Sequence, residues 1–175
     1  SPHFNLPPEK RNIGMVFQDY ALFPHLNVYE NITFGIKDKK TKQQECKKLL
    51  SLVNLEGFEK RYPHELSGGQ QQRIALARAL STKPKLILMD EPFSNLDTSL
   101  KKQMREEIKH IVKNTGVSAV IVTHDPEDAL VMADKIIIMK GGTIEQQGSP
   151  RELHESPVTE FVAGFLAKPL APPSF

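Results

Sequence analysis

Two strings carry the residue types with which this chain could do chemistry. Leu66-Ser67-Gly68-Gly69-Gln70 sets two adjacent glycines at the mouth of a helix. Leu86-Ile87-Leu88-Met89-Asp90-Glu91-Pro92 is an apolar strand that ends in two carboxylates. A helix N-terminus has unpaired N–H groups and a partial positive charge, so it attracts anions. Glycines let its backbone approach a phosphate without a Cβ in the way. In open α/β sheets ligands bind at the carboxyl ends of strands, where Asp90 and Glu91 fall. A carboxylate there can hold Mg²⁺, and its neighbour can orient an attacking water. Asp90 is therefore read as the magnesium ligand and Glu91 as the general base. Anion-binding backbone near paired acids is the chemistry of nucleoside-triphosphate hydrolysis. A plain glycine turn or a helix-capping acid pair would explain either string alone, but not both together.

Further candidates depend on position more than on residue type. His124 follows an apolar strand ending Val122-Thr123, where an imidazole can donate to a terminal phosphate and to the base. Gln18 ends the first apolar run, and its amide can reach magnesium or the attacking water. Asp97, in Ser94-Asn95-Leu96-Asp97, can face a nucleotide, cap the helix that follows, or do both. The remaining histidines lack metal-ligand spacing, which argues against zinc. Lys37, Lys39, Lys40, Lys42, Lys47 and Lys48 read as a solvated helix face.

The elements that must position these residues follow from periodicity and punctuation. Residues 13–17 read as a strand. Residues 27–36 read as a helix, with Asn27 as N-cap and Glu30 completing a capping box. Residues 41–54 form a second helix, with Cys46, Leu49, Leu50 and Val53 at helical spacing. Pro63 breaks the chain, and 70–81 form a third helix stopped by Pro84. Residues 85–90 and 118–122 have the apolar pattern of parallel strands buried on both faces. Between them 97–115 is amphipathic, with Leu100, Met104, Ile108, Ile111 and Val112 on one face and Gly116 as the stop. Residues 126–132 read as a helix, and 135–139 turn at Gly141-Gly142 into 143–147. The tail 150–166 reads as helical, ended by Pro169, Pro172 and Pro173. From residue 85 onward, strand, helix, strand, helix, strand argues an α/β fold with a mainly parallel sheet.

The chain of 175 residues is long enough for one domain with a core. A net charge of +2 is too small to argue for nucleic acid or an anionic membrane surface. Cys46 is the only cysteine, which excludes an intrachain disulfide and fits a reducing compartment. No run is long and apolar enough to span a bilayer. The first residue is Ser1 rather than Met, which suggests a piece of a longer protein.

In order and spacing these residues resemble the motifs of ABC transporter ATPases, over essentially the whole chain. Gln18 is similar to the Q-loop and the 66–70 string to the signature motif. The strand 86–90 with Glu91 resembles Walker B, the segment 94–97 the D-loop and His124 the H-loop. Val16-Phe17-Gln18-Asp19-Tyr20-Ala21-Leu22-Phe23-Pro24-His25 and the tail from Gly148 resemble importers of the sugar, polyamine, iron, sulfate, molybdate and phosphonate group. The resemblance implies an α/β P-loop NTPase fold with a mainly parallel sheet, incomplete at its N-terminal end, and an inserted α-helical subdomain. It implies a helical signature subdomain at about 20–84, a catalytic α/β core at about 85–150 and a helical tail at about 151–175.

It also implies ATP and Mg²⁺, with Glu91, His124 and Gln18 catalytic and Asp90 and Gln18 at the metal. Ser67, Gly68, Gly69, Gln70 and Asp97 would meet nucleotide. Implied partners are a second ATPase subunit in a head-to-tail dimer, transmembrane permease subunits and an extracytoplasmic solute-binding protein, at the cytoplasmic face of the membrane. Nucleic acid is not expected. A P-loop needs a Gly-Lys pair, and none of the ten glycines here is followed by Lys. Only seventeen residues precede Gln18, where the family carries that loop further upstream. The expectation is that this stretch alone neither binds nor hydrolyses ATP, and that its signature motif closes on ATP held by a partner. The competing readings are a soluble ABC-type ATPase acting on DNA or ribosomes, and a non-catalytic product of a split or decayed gene.

Overall fold

A computed structural model describes residues 6–7 and 10–167, so the expected stop at Pro169, Pro172 and Pro173 lies outside the described residues. The chain divides into two compact units, Ser1–Val122 and Thr123–Phe175. In the first unit β1 (Ile13–Val16), β2 (Leu86–Asp90) and β3 (Ser118–Val122) form a parallel sheet in the order β1-β2-β3. The central strand β2 pairs Met89 with Val16 on one side and with Ile121 on the other. All three carboxyl ends therefore share one edge.

Between β1 and β2 run α1 (Val28–Thr33), α2 (Lys42–Leu52), a 3₁₀ turn at Pro63–Glu65 and α3 (Gly68–Ser81). Asn27 caps α1 with the expected capping box: its side chain accepts from the Glu30 N–H, and Glu30 accepts from the Asn27 N–H. Asn31, fully buried, then fixes the preceding loop. Its amide accepts from the Phe23 N–H and donates to the carbonyls of Phe23, Leu26 and Asn27. The helix α4 (Thr98–Thr115) ends at Gly116 in the left-handed conformation, φ 66°, as its sequence predicts.

One expectation fails in the sheet. Strands 85–90 and 118–122 read as buried on both faces, yet only the face of β1 and β2 that bears Val16, Ile87 and Met89 is covered, and β3 has no buried residue. On that face a Cβ at Gly14 would meet the Ala79 carbonyl at 3.0 Å, so glycine is what lets α3 lie so close to β1. On the other, Ile13, Met15, Val120 and Val122 remain 37%, 44%, 48% and 59% exposed. Periodicity reports apolarity, not whether another layer lies over it. Such an open apolar face is a liability for association.

In the second unit α5 (Pro126–Met132) precedes β4 (Ile136–Lys140) and β5 (Thr143–Gly148). These pair antiparallel through Gly141 and Gly142, both at positive φ, with a bulge at Ile138/Met139. Among the described residues β4 thus belongs to a hairpin, not to the parallel sheet. The tail expected to be helical over 150–166 forms two helices, α6 (Pro150–Glu155) and α7 (Glu160–Leu166). Pro157 disfavours helical backbone at Ser156, which sits at φ −142°, ψ 62°. Leu153, Val162 and Leu166 pack with Ile136 and Ile138 as this unit's core.

Cys46 lies buried on α2, and burial, reinforced by Glu59, pushes its thiol up to about 11. An unfolded thiol ionises near its ordinary 9.0. Between the two values the folded chain keeps a proton that the unfolded chain releases, so stability falls as pH rises. Denaturant midpoints measured across that window are expected to fall more steeply for the natural chain than for Cys46→Ala.

Candidate nucleotide-hydrolysis site

The sheet edge at the carboxyl ends of β1 and β2 carries three of the candidate residues, Gln18, Asp90 and Glu91. Asp90 closes β2 with an exposed carboxylate. Glu91 follows at φ 42°, a left-handed conformation that costs a non-glycine residue about 1–3 kcal/mol. Its backbone is over-determined there. The Glu91 N–H donates to the Val122 carbonyl at 2.8 Å, and the Glu91 carbonyl accepts from the Ser94 N–H at 3.2 Å and the Ser94 hydroxyl at 3.0 Å. The chain thereby turns sharply just where the second carboxylate leaves the strand. Phe93, fully buried, anchors the turn from below.

Gln18 lies two residues beyond β1 on the same edge. Its carbonyl accepts from the Asn95 side-chain amide at 2.9 Å, a bond between residues 77 apart in sequence. The loop after β1 is thus tied to the turn after β2. Asp97 caps α4: one carboxylate oxygen accepts from the Leu100 N–H at 3.0 Å and the Ser99 hydroxyl at 2.7 Å. Those bonds, the Leu100 N–H foremost, hold its carboxyl below the usual range.

The signature-like string differs from its sequence reading in one respect. The helix starts at Gly68, not at residue 70, so both glycines lie inside its first turn. Ser67 is the N-cap and Gln70 closes a capping box: the Ser67 N–H donates to Gln70 Oε1 at 2.9 Å, and the Gln70 N–H donates to Ser67 Oγ at 3.3 Å. The glycines also serve packing. A Cβ on Gly69 would lie 3.1 Å from Met104 Sδ, and one on Gly68 3.3 Å from Leu96 Cδ2. One turn further on, the fully buried Gln72 donates to the Pro92 carbonyl at 2.8 Å, so α3 grips the turn that bears Glu91.

Gln18, the 67–70 segment, Asp90, Glu91 and Asp97 all belong to the first unit. His124 belongs to the second, exposed, in the turn before α5. Thr123 builds that turn: its hydroxyl donates to Asp128 at 2.6 Å and accepts from the Asp125 N–H at 3.0 Å. The sequence reading missed Gln72 and Asn95, whose partners lie 20 and 77 residues away. The Ser67-x-x-Gln70 box was visible in the sequence and would have placed the helix start correctly.

Residues 3–94 match the family model described as ABC transporter. The chain is 51% identical over 165 residues to a spermidine/putrescine import ATP-binding protein of Clostridium acetobutylicum, covering 92% of this chain and 47% of that protein. It is 49% identical over 168 residues to an Fe(3+) ions import ATP-binding protein of Fusobacterium nucleatum, covering 94% and 45%. The chain spans about half the length of the curated relatives it matches. Among solved structures, cbiO1 of Clostridium perfringens, described as part of the transporter complex cbiONQ, superposes with a TM-score of 0.76 at 29% identity. That match covers 83% of this chain and 60% of that one. The α/β fold with its parallel sheet is the ABC ATPase fold, and the chain belongs to the ABC transporter family.

Proposed function

We propose that this chain is part of an ATP-hydrolysing subunit that powers solute import through a membrane permease. The observation that carries the reading is the strained, over-bonded turn that places Asp90 and Glu91 at the carboxyl end of β2, tied to Gln18 on one side and gripped by α3 on the other. Asp90 offers a hard carboxylate oxygen and Gln18 an amide oxygen, donors that suit Mg²⁺. When bound, that ion would neutralise charge on the β- and γ-phosphates. Glu91 takes the proton of the attacking water, and its pinned backbone keeps the carboxylate from wandering. Gln18 orients that water from the neighbouring loop. His124 donates to the terminal phosphate.

The first turn of α3, with Ser67, Gly68, Gly69 and Gln70, closes on the nucleotide of a second subunit arranged head to tail, with Asp97 beside it. In the same reading residues of about 20–84 form the signature subdomain, about 85–150 the catalytic core and about 151–175 the tail. With no Gly-Lys pair in these 175 residues, the phosphate cradle is supplied by other residues. No helix among the described residues is long and apolar enough to cross a membrane, so attachment to the cytoplasmic face runs through permease subunits, fed by a solute-binding protein. Relatives named for spermidine/putrescine and for Fe(3+) import match almost equally well, so the cargo is not set by these residues.

The test is co-purification of the full-length subunit from membranes. A permease that raises its ATP turnover is the expected companion. Recovery with ribosomes or DNA, and no permease, would overturn the reading.

A further inference from the structure

Glu91 leaves β2 into a turn whose next residue is short of hydrogen-bonding groups. Pro92 has no N–H, so its carbonyl is the one main-chain group by which that residue can be held. Pro92 is buried, and its carbonyl accepts from the Gln72 side-chain amide at 2.8 Å. The other bonds of the turn act elsewhere. They tie Glu91 to Val122 and Ser94, and the Leu96 N–H to the Phe93 carbonyl at 3.2 Å. Without the Gln72 donor, residue 92 would lose its hydrogen-bonded anchor directly after a residue at φ 42°. Backbone in such a conformation keeps it only while its surroundings over-determine it.

Packing does not explain an amide at position 72. The side chain is fully buried, and its Oε1 has no hydrogen-bond partner among the described residues. A half-satisfied buried amide is a poor choice for stability. Methionine would fill the same space and would leave the Pro92 carbonyl unpaired in place of Oε1, so it should change folding stability little. What methionine lacks is the donor, and that donor is directed at the turn bearing Glu91. The neighbouring carboxylate is held differently. Asp90 is the last residue of β2 and pairs with Val122 in the register of the sheet, so the strand ladder sets its place.

We propose that Gln72 is a positioning residue for hydrolysis, one that fixes Glu91 through the Pro92 carbonyl and leaves Asp90 untouched; this rests on Glu91 being the base. Loss of the Gln72 donor should therefore slow the proton-transfer step and spare ATP affinity, Mg²⁺ dependence and stability. A residue needed only for folding would lower all of these together.

The experiment uses the full-length subunit as Gln72→Met, Glu91→Gln and the double variant. Single-turnover hydrolysis, ATP affinity, Mg²⁺ dependence and thermal melting are read on each. Gln72→Met is expected to slow the single turnover about 10–100-fold, the effect of displacing a reacting group by about 1 Å. ATP affinity and the Mg²⁺ concentration for half-maximal rate should stay within about twofold. In Glu91→Gln the base is already gone, so adding Gln72→Met should lower the residual rate by less than about twofold, because groups that act as a unit are not additive. Gln72→Asn keeps the amide but falls one methylene short of Pro92, and should behave as Gln72→Met does. A natural rate in Gln72→Met, or the same fractional loss in the Glu91→Gln background as in the natural one, overturns the proposal. So does failure of both Gln72 variants to fold, which would make the amide a folding group. An unimpaired rate in Glu91→Gln is a different result: it would defeat the assignment of the base, and with it the group that Gln72 positions.

Discussion

Glu91→Gln in the full-length subunit is expected to lower ATP turnover by about 10²–10⁴-fold, the contribution of a positioned general base. Nucleotide-driven dimerisation should survive. The substitution keeps the shape and the hydrogen-bonding reach of the side chain but removes its capacity to take a proton. It does not disturb the turn, because the contacts that hold Glu91 at φ 42° run through its N–H and carbonyl, to Val122 and Ser94. Turnover and dimer formation should therefore separate, which single-turnover hydrolysis and sedimentation in Mg-ATP would show. Unimpaired turnover would remove Glu91 as the base. Glu91→Asp is a useful companion. It keeps the charge but shortens the reach, so it should recover little if position matters as much as basicity.

Ser67→Arg is expected to abolish hydrolysis as thoroughly, by a different route. Ser67 is exposed, so the change does not overfill the core. It does remove the capping box, at a cost of about 1 kcal/mol, which a domain of ordinary stability survives. It also sets a cation at the positive end of α3, against the helix dipole and across the approach to Gly68 and Gly69. Gly69 would be a poorer choice, because any side chain there meets Met104 and confounds packing with binding. Thermal melting of Ser67→Arg should show a small shift where hydrolysis shows loss.

Local signals proved legible where one residue decides one feature. Asn27 with Glu30 placed a helix start, Gly116 a helix stop and Gly141-Gly142 a hairpin. The run from Leu86 to Glu91 placed both carboxylates at a strand exit. The misses have local causes too. The capping box at Ser67 went unread, so α3 was started two residues late and its glycines were taken for a turn. Coverage of the sheet is a property of what lies opposite, which no periodicity in β1 or β3 encodes.

The bonds that shape the candidate site are long-range. Gln72 to Pro92, Asn95 to Gln18 and Arg78 to Tyr20 and Ala21 join residues 20 to 77 apart, and each donor is of a type that is ordinarily solvated. Left-handed backbone at Tyr20, Ala21 and Glu91 was equally hidden, because none of these residue types announces it. The candidate residues could thus be named from the sequence, and the long-range bonds that fix their backbone could not.

The central claim is that the first turn of α3 serves the nucleotide of the other subunit while Glu91 serves its own. Mixing full-length Glu91→Gln with full-length Ser67→Arg tests it, with hydrolysis read as a single turnover. Head-to-tail pairing gives the mixed dimer one site with both changes and one with neither, so the mixture should hydrolyse ATP well above the sum of the two inactive variants. No recovery in a mixture shown to contain mixed dimers would mean that both groups act on the same subunit's nucleotide, and would contradict the account.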